Sequence, residues 1–256
     1  MSESIRAVER ALDVLLCFTQ QTPELSMTQI AEQVGINKST IHRLLATLEK
    51  KRFVERDPLT GIYRPGIRLL QLAYLTLEQN DLRRLAAPYL RRLCELQREN
   101  VNLTILDDID VIYLEVVESA QRVKLAATSG QRLPAFCTAS GKAILAFMPE
   151  EEVKRIIERG MPRYTPYTLL SSSELFENLH HTRELGFAIS EQEFEDGINA
   201  VAAPIFDRSK QPLASISVAG PAYRLSRERM LEIGPQVVDT ANKIAQEVEM
   251  AVNMAL

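Results

Sequence analysis

The stretch LSMTQIAEQVGINKSTIHRLLATLEKKRFVERDPLTGIYRPG, residues 25–66, decides the fold of the N-terminal part of the chain. Ser26 followed by Gln29 matches a capping box, in which each side chain satisfies a free backbone N–H group, so a short helix is predicted to begin after Ser26. Gly35 supplies the turn that ends this helix, because glycine adopts the left-handed conformation without strain. Asn37 is a favourable N-cap for a second, longer helix.

The longer helix, running to about Lys51, separates its side chains onto two faces. Apolar residues recur at helical spacing and predict a buried stripe, which consists of Ile41, Leu44, Leu45 and Leu48. Polar residues near the start of the helix share the opposite, solvent-facing side, and these are Lys38, Ser39, His42 and Arg43.

The segments on either side complete the domain. Residues 53–65 contain two β-prone runs around the turn-forming segment 57–61. Residues 4–18 predict a first helix, whose apolar positions are expected to form one buried face. These positions are Ile5, Val8, Leu12 and Leu15. Three helices and a small hairpin predict a winged helix-turn-helix.

A helix of this kind reads DNA because the major groove, about 12 Å wide, admits an α-helix whose N-terminal side chains reach base edges. Arg43 is the best candidate for a base contact, since arginine pairs bidentately with guanine. The hairpin arginines are expected to contact the DNA backbone and to fix the register. The predicted DNA-binding residues are Lys38, Ser39, Thr40, His42, Arg43, Arg56 and Arg64. A charged helix face is more often merely solvated, but the order of capped helix, glycine turn, capped helix and basic hairpin favours DNA binding.

The charge distribution agrees with a DNA-binding module attached to a domain that does not bind DNA. The whole chain has a formal net charge of -4, whereas residues 37–64 contain seven basic and three acidic side chains. A length of 256 residues predicts two domains. The three widely spaced cysteines do not resemble a disulfide framework, and neither a signal peptide nor a membrane span is indicated. We therefore expect a cytoplasmic protein.

Beyond the winged helix-turn-helix, predicted for residues 1–66, helices and strands are mixed. Residues 67–80 predict an apolar linker helix that packs on a partner, and residues 81–256 predict a second domain. Within that domain we expect a hairpin over residues 102–118 and a further strand over residues 123–127. The whole chain is therefore predicted to be of the α+β class.

Residues 213–219 form a predicted strand with two different faces. One face is apolar, and the other carries small, partly polar side chains. Such a face leaves room for a polar ligand, although close packing of a helix against it is an equally open alternative.

The residues do not predict catalysis, a metal or a cofactor. Cys137 lacks a recognisable base, and the adjacent His180 and His181 point about 100° apart on a helix, which prevents them from sharing a metal easily. The segment TASGKAILA lacks two of the residues that a phosphate loop requires. Two alternatives stay open, an enzyme and a DNA-binding protein whose second domain only oligomerises. The enzyme would use Cys137 or a carboxylate among Glu191, Glu193 and Glu195.

Four stretches together resemble the IclR family of bacterial transcriptional regulators. They are RALDVLLCF, the 25–66 stretch, LPAFCTASGKAILA and GFAISEQEFEDGINAVAAPIFDRSKQPLASISVAGP. The resemblance implies a GAF-like effector domain, with an antiparallel sheet flanked by helices. It also implies a regulator, more commonly a repressor than an activator, that binds double-stranded promoter DNA at a palindromic operator as a dimer or tetramer.

The resemblance further implies that a small organic acid, aromatic acid or sugar-acid metabolite controls the protein. The implied effector-binding residues are Leu133, Ala139, Ser140, Ser190, Ala200, Ser217 and Ala219. Ser190 and Ala200 depart from members of the family that carry an aspartate and a cysteine at these positions, so the resemblance does not identify the effector.

Overall fold

The computed structural model describes residues 5–19, 21–78 and 81–254, and the chain divides into two units, residues 1–79 and 80–256. The helix predicted for residues 67–80 extends to Glu78 in the structure, and its last two positions lie outside the described residues. Each unit has its own hydrophobic core.

The first unit contains three helices, a two-stranded hairpin and a fourth helix. They are α1 (Arg6–Leu16), α2 (Met27–Val34), α3 (Lys38–Lys50), β1 (Val54–Arg56), β2 (Tyr63–Pro65) and α4 (Ile67–Glu78). The predicted capping box is present, because Ser26 Oγ accepts the Gln29 N–H at 3.3 Å and Gln29 Oε1 accepts the Ser26 N–H at 2.9 Å. Gly35 is left-handed, with φ of 72°, and Asn37 Oδ1 accepts the Thr40 N–H at 2.9 Å. The predicted winged helix-turn-helix is confirmed.

The buried face predicted for the first helix is only partly present, because Leu15 packs against the core whereas the other three predicted positions are exposed. Val14 is fully buried and joins the core that α2, α3 and the hairpin form. By contrast, Ile5, Val8 and Leu12 are 69%, 52% and 53% exposed. Helical periodicity identifies an apolar face correctly but does not show whether the same chain covers it.

The second unit begins with a long helix and continues with six strands and further helices. They are α5 (Asp81–Gln97), β3 (Asn100–Asp107), β4 (Asp110–Val117), β5 (Arg132–Pro134), α6 (Ala139–Leu145), α7 (Glu150–Glu158), α8 (Ser172–Leu185), β6 (Ala188–Glu191), β7 (Ile198–Phe206), β8 (Pro212–Pro221) and α9 (Arg227–Met254). A short 3-10 helix, Ala135–Cys137, precedes α6.

The six strands form one antiparallel sheet in the order β5-β4-β3-β8-β7-β6. Helices α5 and α9 pack on one face, against buried side chains that include Ala214, Ile216 and Val218 of β8. Helix α6 packs against β7 and β8 on the other face. The predicted α+β class, the antiparallel sheet flanked by helices and the hairpin over residues 102–118 are confirmed.

The strand predicted over residues 123–127 is wrong, because these residues form no regular element. Their backbone is held by a side chain, since Asn100 Nδ2 donates to the Leu125 carbonyl oxygen at 2.9 Å. The edge of β4 is taken instead by β5, which pairs with residues 110–112. Five residues of β-prone composition do not distinguish a strand from an extended loop anchored by side chains.

Candidate functional sites

Helix α3 presents the predicted DNA-reading side chains near its first turn. Lys38, Ser39, His42 and Arg43 are exposed, and Thr40 is half-buried. The opposite side of α3 is held in the core by Ile41, Leu45 and Leu48, whereas Leu44 is only partly buried. The structure therefore brings five of the predicted residues together on one surface of α3, and their contact with DNA stays a prediction.

The other two predicted DNA-binding residues lie on the hairpin. Strand register pairs Glu55 with Arg64 and Arg56 with Tyr63. The Arg56 guanidinium lies 5.7 Å from the centre of the Tyr63 ring, and Arg64 Nη2 lies 3.2 Å from Glu55 Oε2 in an exposed ion pair. Exposed pairs of this kind contribute about 0–1 kcal/mol, so Arg64 can exchange Glu55 for a phosphate at little cost.

A cavity lies in the second unit, between the sheet and the start of α6, and contains about 550 Å³ of empty space with its open mouth included. All seven residues that the family resemblance implied line this cavity. They are Leu133, Ala139, Ser140, Ser190, Ala200, Ser217 and Ala219. The structure thus brings the seven together, and their contact with a ligand stays a prediction.

Strand register explains why short side chains meet here. Ser190 on β6 pairs with Ala200 on β7, and Ala200 pairs with Ala219 on β8. Ser217 lies two residues before Ala219 and therefore on the same face of β8. Because serine and alanine side chains are short, this part of the sheet leaves empty space beside the start of α6, although Ala143 of α6 packs with Ala188 and Ala202 of the sheet.

Hydroxyl groups supply much of the polar lining. Ser190 Oγ donates to the Cys137 carbonyl oxygen at 3.2 Å, so its lone pairs remain available as acceptors. Ser217 Oγ accepts from Asn102 Nδ2 at 3.3 Å, which leaves the Ser217 proton available to donate. A ligand with both donor and acceptor oxygens matches this pair of serines.

Sequence reasoning did not assign two chemically important residues to the effector cavity, Tyr113 on β4 and Glu195 between β6 and β7. Glu195 was named only as a possible catalytic carboxylate. Burial, reinforced by the charge of Glu195, raises the pKa of Tyr113 to about 12, so its hydroxyl is neutral at pH 7. Glu195 is exposed, and it is the one formally charged side chain among the described residues that line the cavity. No local sequence signal shows that β4 and this connection meet, because both reach the cavity through tertiary packing. The other unpredicted lining residues are Leu125, Ala126, Ala127, Gln131, Thr138, Phe194 and Ile198.

The possible nucleophile and metal ligands offer little chemistry. Cys137 is fully buried, and burial together with the charge of Glu193 raises the pKa of its thiol to about 12. His180 and His181 are exposed and each lies 3.5 Å from Glu184. Among the described residues, no group of three or more His, Cys, Asp or Glu side chains could hold a metal ion. Within the same residues, no helix is both long and apolar enough to cross a membrane.

In a comparison with known proteins, both units match models of the same protein family. The family model described as IclR helix-turn-helix domain matches residues 7–58, and the model described as bacterial transcriptional regulator IclR C-terminal matches residues 74–246. The transcriptional repressor IclR of Escherichia coli K12 is 32% identical over 250 residues, which cover 96% of this chain and 90% of the repressor.

Two solved structures have the same fold. An IclR transcriptional regulator from Alicyclobacillus acidocaldarius has a TM-score of 0.85 at 28% identity, and the match covers 96% of this chain and 99% of that one. An IclR homologue from Microbacterium hydrocarbonoxydans, complexed with 4-hydroxybenzoate, has a TM-score of 0.81 at 24% identity, covering 95% and 99%.

Proposed function

Because the chain belongs to the IclR family of bacterial transcriptional regulators, we propose that it represses promoters in the cytoplasm and that a small metabolite controls this repression. Membership confirms the resemblance seen in the sequence and the DNA-binding regulatory function that followed from it. The family consists of regulators, which confirms that the protein is not an enzyme. Repression is the activity named for the E. coli relative.

The exposed face of α3 supports a base-reading role for this helix in the major groove. Arg43 and His42 are exposed at the start of a helix whose other side is fixed in the core, so they can enter the groove without any rearrangement of the domain. Arg56 and Arg64 on the hairpin supply charges for the neighbouring DNA backbone. This arrangement is the observation that carries the proposal.

A second copy of the chain is proposed to cover the apolar side chains that the first unit leaves exposed. Ile5 and Leu12 of the N-terminal segment are 69% and 53% exposed, and Leu70 and Leu75 of α4 are 64% and 52% exposed. Exposed apolar side chains that recur along helices are typical of a helix-mediated interface. Two winged domains related by a two-fold axis would bind a palindromic operator, with half-sites about 34–36 Å apart. A tetramer would add a second pair of winged domains.

The cavity supports a small organic acid or a related metabolite as effector. A carboxylate would be bound by neutral hydrogen-bond donors, which include the hydroxyls of Ser217 and Tyr113, since the described lining residues contain no lysine or arginine. Binding would shift the equilibrium between arrangements of the two winged domains, provided that the ligand has different affinities for them.

The test combines an operator search with a ligand search on the full chain. Selection from random double-stranded DNA, followed by footprinting, is expected to return a two-fold symmetric site that spans two successive major grooves. Thermal unfolding with pyruvate, 4-hydroxybenzoate and gluconate then tests one probe from each implied class. A ligand at 100 times its Kd stabilises the folded state by about 2.7 kcal/mol.

The outcomes separate the competing functions. A symmetric site and a compound that both stabilises the protein and weakens operator binding support the proposal. A symmetric site with no response to any compound favours a second domain that only oligomerises. Recovery of no preferred DNA sequence contradicts the proposed role of α3.

A further inference from the structure

The second unit contains a buried ion pair that neither DNA binding nor the cavity lining explains. Lys142 Nζ donates to Glu193 Oε1, and their side chains are 0% and 8% exposed. Lysine and glutamate are almost never buried, because removing their charges from water costs more than their attraction returns unless the geometry is good. Stability alone therefore does not explain why an ion pair is buried here.

The two partners belong to two segments that both contribute residues to the cavity lining. Lys142 is part of α6, whose first two residues, Ala139 and Ser140, line the cavity. Glu193 belongs to the connection between β6 and β7, and the two residues that follow it, Phe194 and Glu195, also line the cavity. The ion pair therefore joins α6 to the β6–β7 connection, and each partner lies within two residues of a residue that lines the cavity.

Two threonine side chains also hold the backbone of the β6–β7 connection. Thr165 Oγ1 donates to the Gln192 carbonyl oxygen at 2.7 Å, and Thr168 Oγ1 donates to the Glu193 carbonyl oxygen at 2.7 Å. These bonds tie the connection to residues 165–168 but not to α6. Among the described atoms, Glu193 Oε2 is buried without a hydrogen-bond partner, and Lys142 supplies the main compensating charge for the carboxylate.

We propose that Lys142 and Glu193 are positioning residues for the effector cavity, which hold Phe194 and Glu195 at the distance from α6 that a bound ligand needs. The inference rests on the proposed effector function and adds the interaction that shapes the effector site. Neither residue contacts the ligand, since neither lines the cavity. Both act through the connection that Glu193 anchors.

Three variants and one control test this on the full chain. Glu193→Gln removes the negative charge opposite Lys142, and Lys142→Met leaves Glu193 without its partner. The double variant Lys142→Met/Glu193→Leu replaces both with apolar groups, which commonly preserves stability. Ile244→Ala is the control, because Ile244 is fully buried in the core on the opposite face of the sheet and does not line the cavity. This control variant should lower the melting temperature without changing the Lys142–Glu193 ion pair.

Hydrogen exchange measures how firmly the β6–β7 connection is held, and it needs no ligand. We expect the amides of residues 192–197 to exchange at least ten-fold faster in the double variant, with a melting temperature close to that of the unaltered protein. The Ile244→Ala control should leave exchange there unchanged under native conditions. Unchanged exchange over residues 192–197 in the double variant would overturn the inference, even if the single variants fail to fold.

Ligand affinity provides the second readout. For whichever of pyruvate, 4-hydroxybenzoate and gluconate stabilises the unaltered protein, the double variant should bind at least ten-fold more weakly, while ligand-free operator affinity stays within about three-fold. Recovery of full ligand affinity together with stability would mean that the pair is only structural. If none of the three compounds binds the unaltered protein, the effector proposal fails, and the exchange experiment alone decides whether the pair holds the connection.

Discussion

Replacing Arg43 by alanine should weaken operator binding without affecting the fold. The side chain is exposed on α3 and forms no ion pair among the described residues, and alanine is the best helix former, so stability should change by no more than about 0.5 kcal/mol. A bidentate contact with guanine contributes about 1–3 kcal/mol of discrimination. At about 1.4 kcal/mol for each factor of ten, each half-site should lose about 5- to 140-fold in affinity.

The assay is fluorescence anisotropy with the selected operator and a scrambled duplex, at several salt concentrations. Loss of a base contact weakens operator binding much more than binding to the scrambled duplex. Loss of a phosphate contact instead weakens both equally and reduces the salt slope by about 0.9. Arg91→Ala is the matched control, because Arg91 is an exposed arginine on α5, outside the winged domain. Operator affinity within two-fold of the unaltered protein would refute a base-reading role for Arg43.

Four other changes test the cavity and the local structure. Ala200→Leu places a larger side chain inside the cavity and should abolish ligand-induced stabilisation in thermal unfolding while operator binding persists; full ligand affinity would place the binding site elsewhere. Ser26→Ala removes the α2 cap and should lower the free energy of unfolding by about 0.5–2 kcal/mol in urea denaturation, and no change would mean that solvent replaces the cap. Because the pKa of Tyr113 is raised to about 12 from 10.0, the folded state keeps its proton while the unfolded state loses it. Stability should therefore fall by up to about 1.4 kcal/mol per pH unit between pH 10 and 12, and Tyr113→Phe should remove that component in urea titrations. Gly141→Ala would place a Cβ 2.1 Å from the Ala135 carbonyl oxygen, so α6 must shift and ligand binding should be lost with a lower melting temperature; an unchanged protein would contradict this packing.

The winged domain could be predicted almost completely because its determinants are local. The Ser26 capping box, the left-handed Gly35 and the Asn37 cap each act over three or four residues, and all are present in the structure. The same periodicity misjudged α1, because a helix that is apolar on one face has the same pattern whether that face is covered by its own chain or left exposed, as Ile5 and Leu12 are.

The cavity residues were named from the family resemblance rather than from local physics. Composition and spacing could say only that residues 213–219 carry one face of small side chains. Tyr113 was missed and Glu195 was named only as a possible catalytic carboxylate, because both reach the cavity from other elements. The wrong strand prediction for residues 123–127 also reflects tertiary contacts. Their composition predicts a β-ladder, but in the structure the distant Asn100 side chain donates to the Leu125 carbonyl oxygen.

By itself, the sequence determined the order of the elements in the winged domain, the two faces of α3 and the family, because caps, turns and helical periodicity are set by neighbouring residues. Only the tertiary structure decided where the cavity lies. Ser190, Ala200 and Ala219 become neighbours through the register of three strands, and no local pattern encodes that register. The pairing of Lys142 with Glu193 likewise depends on the fold, since the two residues are 51 positions apart in the chain and meet only when α6 and the β6–β7 connection are in place.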